Sequence, residues 1–340
     1  MKLVQNRSSD ANSASPPVLV TLDTIMPAAM AVRAEESGVK RVSTDPLILL
    51  VLSILAGAFV AFGAIFATTV SAGTINVAGP DGAAALSAGL PYGIVRLLTG
   101  LLFSFGLILV VIAGAELFTG NNLIVMAWAG GKVTTRDLLM NWSIAFVGNF
   151  IGAFMTAVLM FYTTQYTFGA GAVGMVALTT ANAKTSLSLV PAFTLGIMCN
   201  ALVCLTVWMC FSARTTVDRV FTIIPPITGF AAAGFEHCIA NIYFIPLGLF
   251  IKAGATDSFW KSIGKTPADF PSLTWENFLI GNLLPVTIGN VIGGSIMVAA
   301  VYWFVYLRKR TVATPATAKQ GAGLDAVQRD HGRSVLERNW

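Results

Sequence analysis

Gly234-Phe235-Glu236-His237-Cys238-Ile239-Ala240-Asn241 lies in an apolar run that holds no other charged residue between Val220 and Ile251. A carboxylate beside an imidazole at membrane depth is costly and marks a functional site. A near-copy stands earlier in the chain, Gly114-Ala115-Glu116-Leu117-Phe118-Thr119-Gly120-Asn121, where Glu116 is the sole charge between Leu97 and Gly131. Two Gly-x-Glu blocks, each interrupting an apolar segment in the matching half of a chain, predict a transporter or channel with repeated halves and broken helices.

The composition agrees. Of 340 residues, 55% are hydrophobic and 11% charged, and mean hydropathy is +0.75. A soluble domain carries about a quarter charged residues. The net charge of +5 bears on membrane orientation; basic residues are scattered and no nucleic-acid surface is expected. Cys199, Cys204, Cys210 and Cys238 lie in apolar stretches without a Cys-x-x-Cys pair, as small packing residues do.

Outward from the two blocks, six charge-poor segments are long enough to span a bilayer, which takes about 20 apolar residues. They are 47–70, 97–128, 138–162, 188–211, 220–250 and 278–307. The second and fifth carry the Gly-x-Glu blocks. One segment after each block comes a Gly-Asn pair, Gly148-Asn149 with Gly152 and Gly289-Asn290 with Gly293. Segments one to three therefore correspond to four to six, and three spans per half invert the second half in the membrane. The expected architecture is all-α, a 3+3 inverted repeat with broken helices 2 and 5.

Residues 24–40 predict an amphipathic helix, with Pro27 in its first turn and Gly38 at its end. Its apolar face would be Met26, Ala29, Met30, Val32 and Ala34, set against Arg33, Glu35 and Glu36, and it would lie on the membrane surface. Residues 1–23 form a polar tail expected to be disordered, without the basic start and apolar core of a signal peptide. The channel domain would run over 41–310 and a cytoplasmic tail over 311–340. Lys and Arg divide ten against five between the two sides. The positive-inside rule then puts both termini in the cytoplasm.

Unwound backbone at membrane depth is tolerated where it is buried or lines a cavity. The blocks are thus expected to be pore loops whose half-helix N-termini offer amides to an anion. His237 adds a donor that is neutral or charged near physiological pH, and sequence leaves that choice open. Glu116 and Glu236 are expected to clamp the loops through their amides, with direct substrate contact as the alternative.

Several of these stretches resemble the formate/nitrite transporter family. They are Gly114–Gly120, Asn141-Trp142 with Gly148-Asn149-Phe150, Cys199–Cys204 with Val207-Trp208, Gly234–Asn241, and Pro285–Asn290. The resemblance covers about residues 24–310. It implies an aquaporin-like fold and a homopentamer in the inner (plasma) membrane, with one pore per protomer and no cofactor. It implies a mobile loop carrying Thr119, which faces His237, with Asn200 beside them. It implies Lys184 as an extracytoplasmic anion collector, and apolar constrictions from Phe103, Leu107, Phe118, Val203 and Phe230. The implied permeant is a small monovalent anion, formate first and nitrite second, with hydrosulfide and short carboxylates still open.

Two other classes fit less well. A haem or metal redox enzyme would need more than one intramembrane histidine or a suitable cysteine pair. A neutral-solute pore would carry Asn-Pro-Ala repeats or paired pore histidines, and the sequence has neither.

Overall fold

A computed structural model describes residues 23–73, 77–78, 84–85 and 90–308. The tails expected at 1–23 and 311–340 lie outside the described residues apart from Asp23, as do residues 309 and 310. Five helices among these are long and apolar enough to cross a bilayer, and six when one bent pair counts as a single span. The chain is a multi-pass membrane protein.

The helices follow local signals. α1 (Pro27–Val42) starts on proline. α2 (Pro46–Ala72) is capped by the Asp45 carboxylate, which accepts from Leu47 N and Ile48 N. After a short antiparallel pairing of β1 (Val77–Ala78) with β2 (Ala84–Ala85), α3 (Tyr92–Ala113) runs to Gly114. The chain restarts as α4 (Phe118–Asn121) and, after one 3-10 turn, α5 (Val125–Ala129). α6 (Thr135–Tyr162) completes the first half.

The second half repeats this order. α7 (Ala172–Thr185) leads into α8 (Leu189–Cys210). α9 (Thr216–Ala233), which opens on a Thr215–Asp218 capping box, breaks at Gly234. α10 (Cys238–Gly254) resumes at an angle of 51°. α11 (Asp257–Ile263) lies in the following loop. The last span, Asn277–Leu307, has an α-helical middle, α12 (Leu284–Ile292), flanked by π-helical turns.

α2 packs against α3 and α6, α8 against α9 and α12, and α3 against α9 where the two halves meet. Glycine permits the closest of these approaches. A Cβ at Gly152 would overlap the Ile54 carbonyl on α2, and one at Gly293 would overlap the Ile197 carbonyl on α8. The two contacts are repeat equivalents.

Two features differ from the sequence reading. The sequence reading places no helix at α7; its buried face of Gly174, Ala177, Leu178 and Ala181 is mostly small residues, and Ala177 and Ala181 meet Gly248 of α10. The buried stripe of α1 is Met30, Ala31, Ala34, Glu35 and Gly38, whereas Met26 and Val32 are exposed. Gly38 lets α1 close onto Ile124 and Ala127. Glu35 can be buried because Lys132 pairs with it at 2.5 Å. α1 thus seats on protein through small residues and an ion pair, and its start is held by Ile25 and Ser212 backbone and side-chain bonds.

Candidate functional site

Each break begins with a left-handed residue. Gly114 has φ of 77° and Gly234 of 78°, a conformation that side chains with a Cβ resist. The chain then runs extended, Leu117 or His237 takes the N-cap position, and a half-helix follows. An asparagine from the next span brackets each break. Asn149 Nδ2 donates to the Ser53 and Glu116 carbonyls while its Oδ1 accepts from Phe118 N. Asn290 Nδ2 donates to the Gly196 and Glu236 carbonyls while its Oδ1 accepts from Cys238 N. Glu116 N and Glu236 N are bound by Leu52 O and Leu195 O. Several of the amides expected to face an anion are therefore already taken by protein acceptors.

The carboxylates are paired in matching fashion. Glu116 faces Arg41 at 3.2 Å, and Arg41 also reaches the Asn121 side chain. Asn121 donates to Asn141, which donates back to the Arg41 carbonyl. In the other half Glu236 meets Lys184 at 2.7 Å and accepts from Asn241 and Asn282. Asn241 donates to Asn282, which donates back to the Lys184 carbonyl. Buried ion pairs hold only when further hydrogen bonds satisfy their remaining atoms; Asn241 and Asn282 do so for the Glu236 carboxylate, whereas in the half-buried first pair Asn121 engages Arg41 and not Glu116. The symmetry extends the repeat to α1 and α7, whose last turns supply Arg41 and Lys184.

Between the two brackets Thr119 Oγ1 and His237 Nε2 lie 2.9 Å apart, both buried. His237 Nδ1 accepts from Ala240 N at 3.1 Å and caps α10. A ring nitrogen that accepts carries no hydrogen, so the neutral tautomer has its hydrogen on Nε2 and donates to Thr119. Asn200 belongs to the polar layer behind Thr119 and does not bond His237. Both its amide hydrogens are engaged, by Asn122 Oδ1 and Asn290 O, and Cys204 links it to the Thr119 carbonyl.

Two cavities approach this pair. One, of about 210 Å3, is walled by Arg41, Glu116, Arg219, Leu107 and Leu117. The other, of about 520 Å3, is walled by Arg96, Lys184, Glu236, Phe103, Phe230 and His237. A void of about 20 Å3 lies between them and touches Phe103, Leu107, Leu117, Val203, Phe230 and His237. That is room for about one water molecule. Four of the five expected constriction residues thus line the narrow part. Phe118 does not: its ring packs edge-on against Trp142 and Phe146, and Leu117 takes the place beside His237. One residue's turn at a helix start decides which of two neighbouring apolar side chains faces the void.

A family model described as Formate/nitrite transporter matches residues 28–304. The chain belongs to that family. Within the formate/nitrite transporter family it is 41% identical over 287 residues to formate channel FocA of Escherichia coli K12, covering 84% of this chain and 96% of that protein. It is 38% identical to formate channel FocA of Haemophilus influenzae, covering 78% of this chain and 89% of that protein. A solved pentameric formate channel with formate bound superposes with a TM-score of 0.69 at 40% identity, over 77% of this chain and 98% of that one. An FNT family ion channel superposes with a TM-score of 0.63 at 26% identity, over 82% and 98%.

Sequence reasoning gives Arg41 only an orientation role at the end of a surface helix, gives asparagines 121, 141, 149, 241 and 290 no role beyond their motifs, and does not name Asn282. The signal for the asparagines was present: buried amides at matching positions of two inverted halves.

Proposed function

We propose that this chain is a channel for small monovalent anions, formate first and nitrite second, and not an enzyme. It would assemble as a homopentamer with one pore per protomer in the inner membrane, with the Arg41 mouth and both termini on the cytoplasmic side. One observation carries the reading. A single donor pair, Thr119 and His237, stands behind an apolar constriction between two mouths that each hold basic side chains. The names of the relatives and the ten-to-five division of Lys and Arg support the choice of permeant and the orientation.

The mechanism follows from the geometry. Apolar rings strip water from a permeant and select by that cost. Arg41 and Lys184 raise the anion concentration at the mouths. Glu236 clamps its break through Asn241 and Asn282, and Glu116 clamps the other through Arg41, which Asn121 holds. At the centre the His237 Nε2–H and the Thr119 hydroxyl give the anion two hydrogen bonds in place of its hydration. Lending a proton takes the imidazolium, in which Nδ1 carries a hydrogen and releases Ala240 N–H; that route costs a lost helix cap, about 1 kcal/mol, in addition to the desolvation of a buried cation.

Uptake of labelled formate, nitrite and water into liposomes is the test. Formate and nitrite flux well above the rate of empty liposomes supports the reading. Water flux alone would refute it.

A further inference from the structure

The last carbonyls of α9 have no continuing helix to accept from; Phe230 O and Ala231 O take the Phe235 and Gly234 amides of the turn, and together these carbonyls form the helix's negative end. They lie at the wall of the vestibule on the Lys184 side, where that charge would oppose an approaching anion. Arg96 reaches them from α3. Its Nε donates to Ala232 O at 2.9 Å and its Nη2 to Ala231 O at 2.6 Å. A guanidinium has five N–H donors. Two are used, and the remaining three have no protein partner among the described residues. Gly234 allows this approach, since a Cβ there would sit 3.2 Å from Nη2. The opposite mouth has a counterpart: Arg219, on α9, lines the cavity walled by Val110, Val111 and Gly114 at the carbonyl end of α3. The antiparallel α3–α9 pair thus sets an arginine of each helix near the negative end of the other.

We propose that Arg96 is a positioning residue for permeation. It pins the carbonyl end of α9 over the turn that seats His237, and its free N–H groups turn an anion-repelling helix end into an anion-attracting wall. This inference rests on the anion-channel reading above.

The test compares R96K with R96Q in proteoliposomes. Both lose the two-point hold on Ala231 and Ala232, and only R96K keeps the charge, so their ratio isolates the electrostatic part. Initial formate uptake is measured against formate concentration at ionic strengths of about 0.01 M and about 1 M, where the screening length is about 30 Å and about 3 Å. At sub-saturating formate and low salt, R96K should exceed R96Q about tenfold, the lower end of electrostatic steering. At high salt the two should agree within about twofold, because exposed charges are then screened. Both should fall below wild type in saturating rate, reporting the loosened turn. A ratio near one at every salt concentration overturns the charge role. Variants equal to wild type throughout overturn the inference entirely while leaving the channel reading intact. A wild-type protein that passes no anion overturns the channel reading, and this inference with it.

Discussion

Thr119 and His237 come from opposite halves of the chain and meet at 2.9 Å between Oγ1 and Nε2. Neither side chain is free to wander. Thr119 sits on α4, whose first amide is held by Asn149 and whose Thr119 carbonyl accepts from Cys204. His237 caps α10 through its other nitrogen. The bond therefore ties the two broken helices together where the two cavities approach one another.

Removing the hydroxyl isolates its part. Thr119→Val keeps the branched shape and leaves His237 Nε2–H without an acceptor, at about 1–3 kcal/mol for a buried orphan. Formate flux in liposomes should drop at least about tenfold, and native mass measurement should still give the wild-type assembly. Flux equal to wild type would mean that the anion does not pass between these two groups.

The asparagine brackets should matter more for stability than for selectivity. Asn290→Ala leaves Cys238 N and the Glu236 carbonyl without this partner and takes a second donor from the Gly196 carbonyl, which stays bonded within α8. At about 1–3 kcal/mol per buried orphan, the melting temperature in detergent should fall by several degrees or the variant should fail to assemble. Asn149→Ala should behave alike, because it takes the same partner from the equivalent groups in the first half. A large loss for one and none for the other would break the equivalence of the two halves.

Much of this was legible in the sequence. A glycine two residues before a lone carboxylate inside an apolar run announces the break, and the Gly-Asn pair one segment later announces the repeat, though not the bracket that its asparagine forms. The rest depends on which residues meet in space. Arg41 meets Glu116 across the interval between a surface helix and a pore loop, and nothing local ties them. The stripe of α7, Gly174, Ala177, Leu178 and Ala181, is mostly small residues and too short to read as a span. Glu35 is buried against Lys132 although a charged residue on an amphipathic helix is assigned to solvent by pattern. Phe118 and Leu117 are neighbours of equal apolar character, and only the direction in which α4 starts decides between them.

The constriction can be widened at one point. Leu107 is common to the Arg41-side cavity and the central void. Leu107→Ala truncates one of the two side chains, with Leu117, that both spaces share, so the void should exceed the space of about one water and open toward the cavity. Anion flux should rise severalfold and discrimination between formate and larger carboxylates should weaken. Liposome uptake of formate, acetate and lactate reads both effects. Unchanged selectivity would place the rate-limiting barrier elsewhere, at Phe103 and Phe230, whose rings meet edge-on at 5.6 Å.

His237→Asn separates the two jobs of the histidine. Asparagine is among the best N-cap residues, so Ala240 N–H keeps an acceptor and α10 should start where it does now. The assembly should remain intact and its melting temperature should change little. What asparagine lacks is a titratable nitrogen. If the anion crosses the apolar rings as the neutral acid, the ring must lend a proton during each passage, and the variant cannot. Formate uptake and internal pH are recorded together in liposomes carrying a pH dye. The wild type should move about one proton with each formate by this route, whereas His237→Asn should show at most a slow anion leak with no coupled acidification. A variant that still moves formate and protons together at the wild-type rate would reduce His237 to a helix cap and a hydrogen-bond donor, and would shift the source of the proton to water in the vestibules.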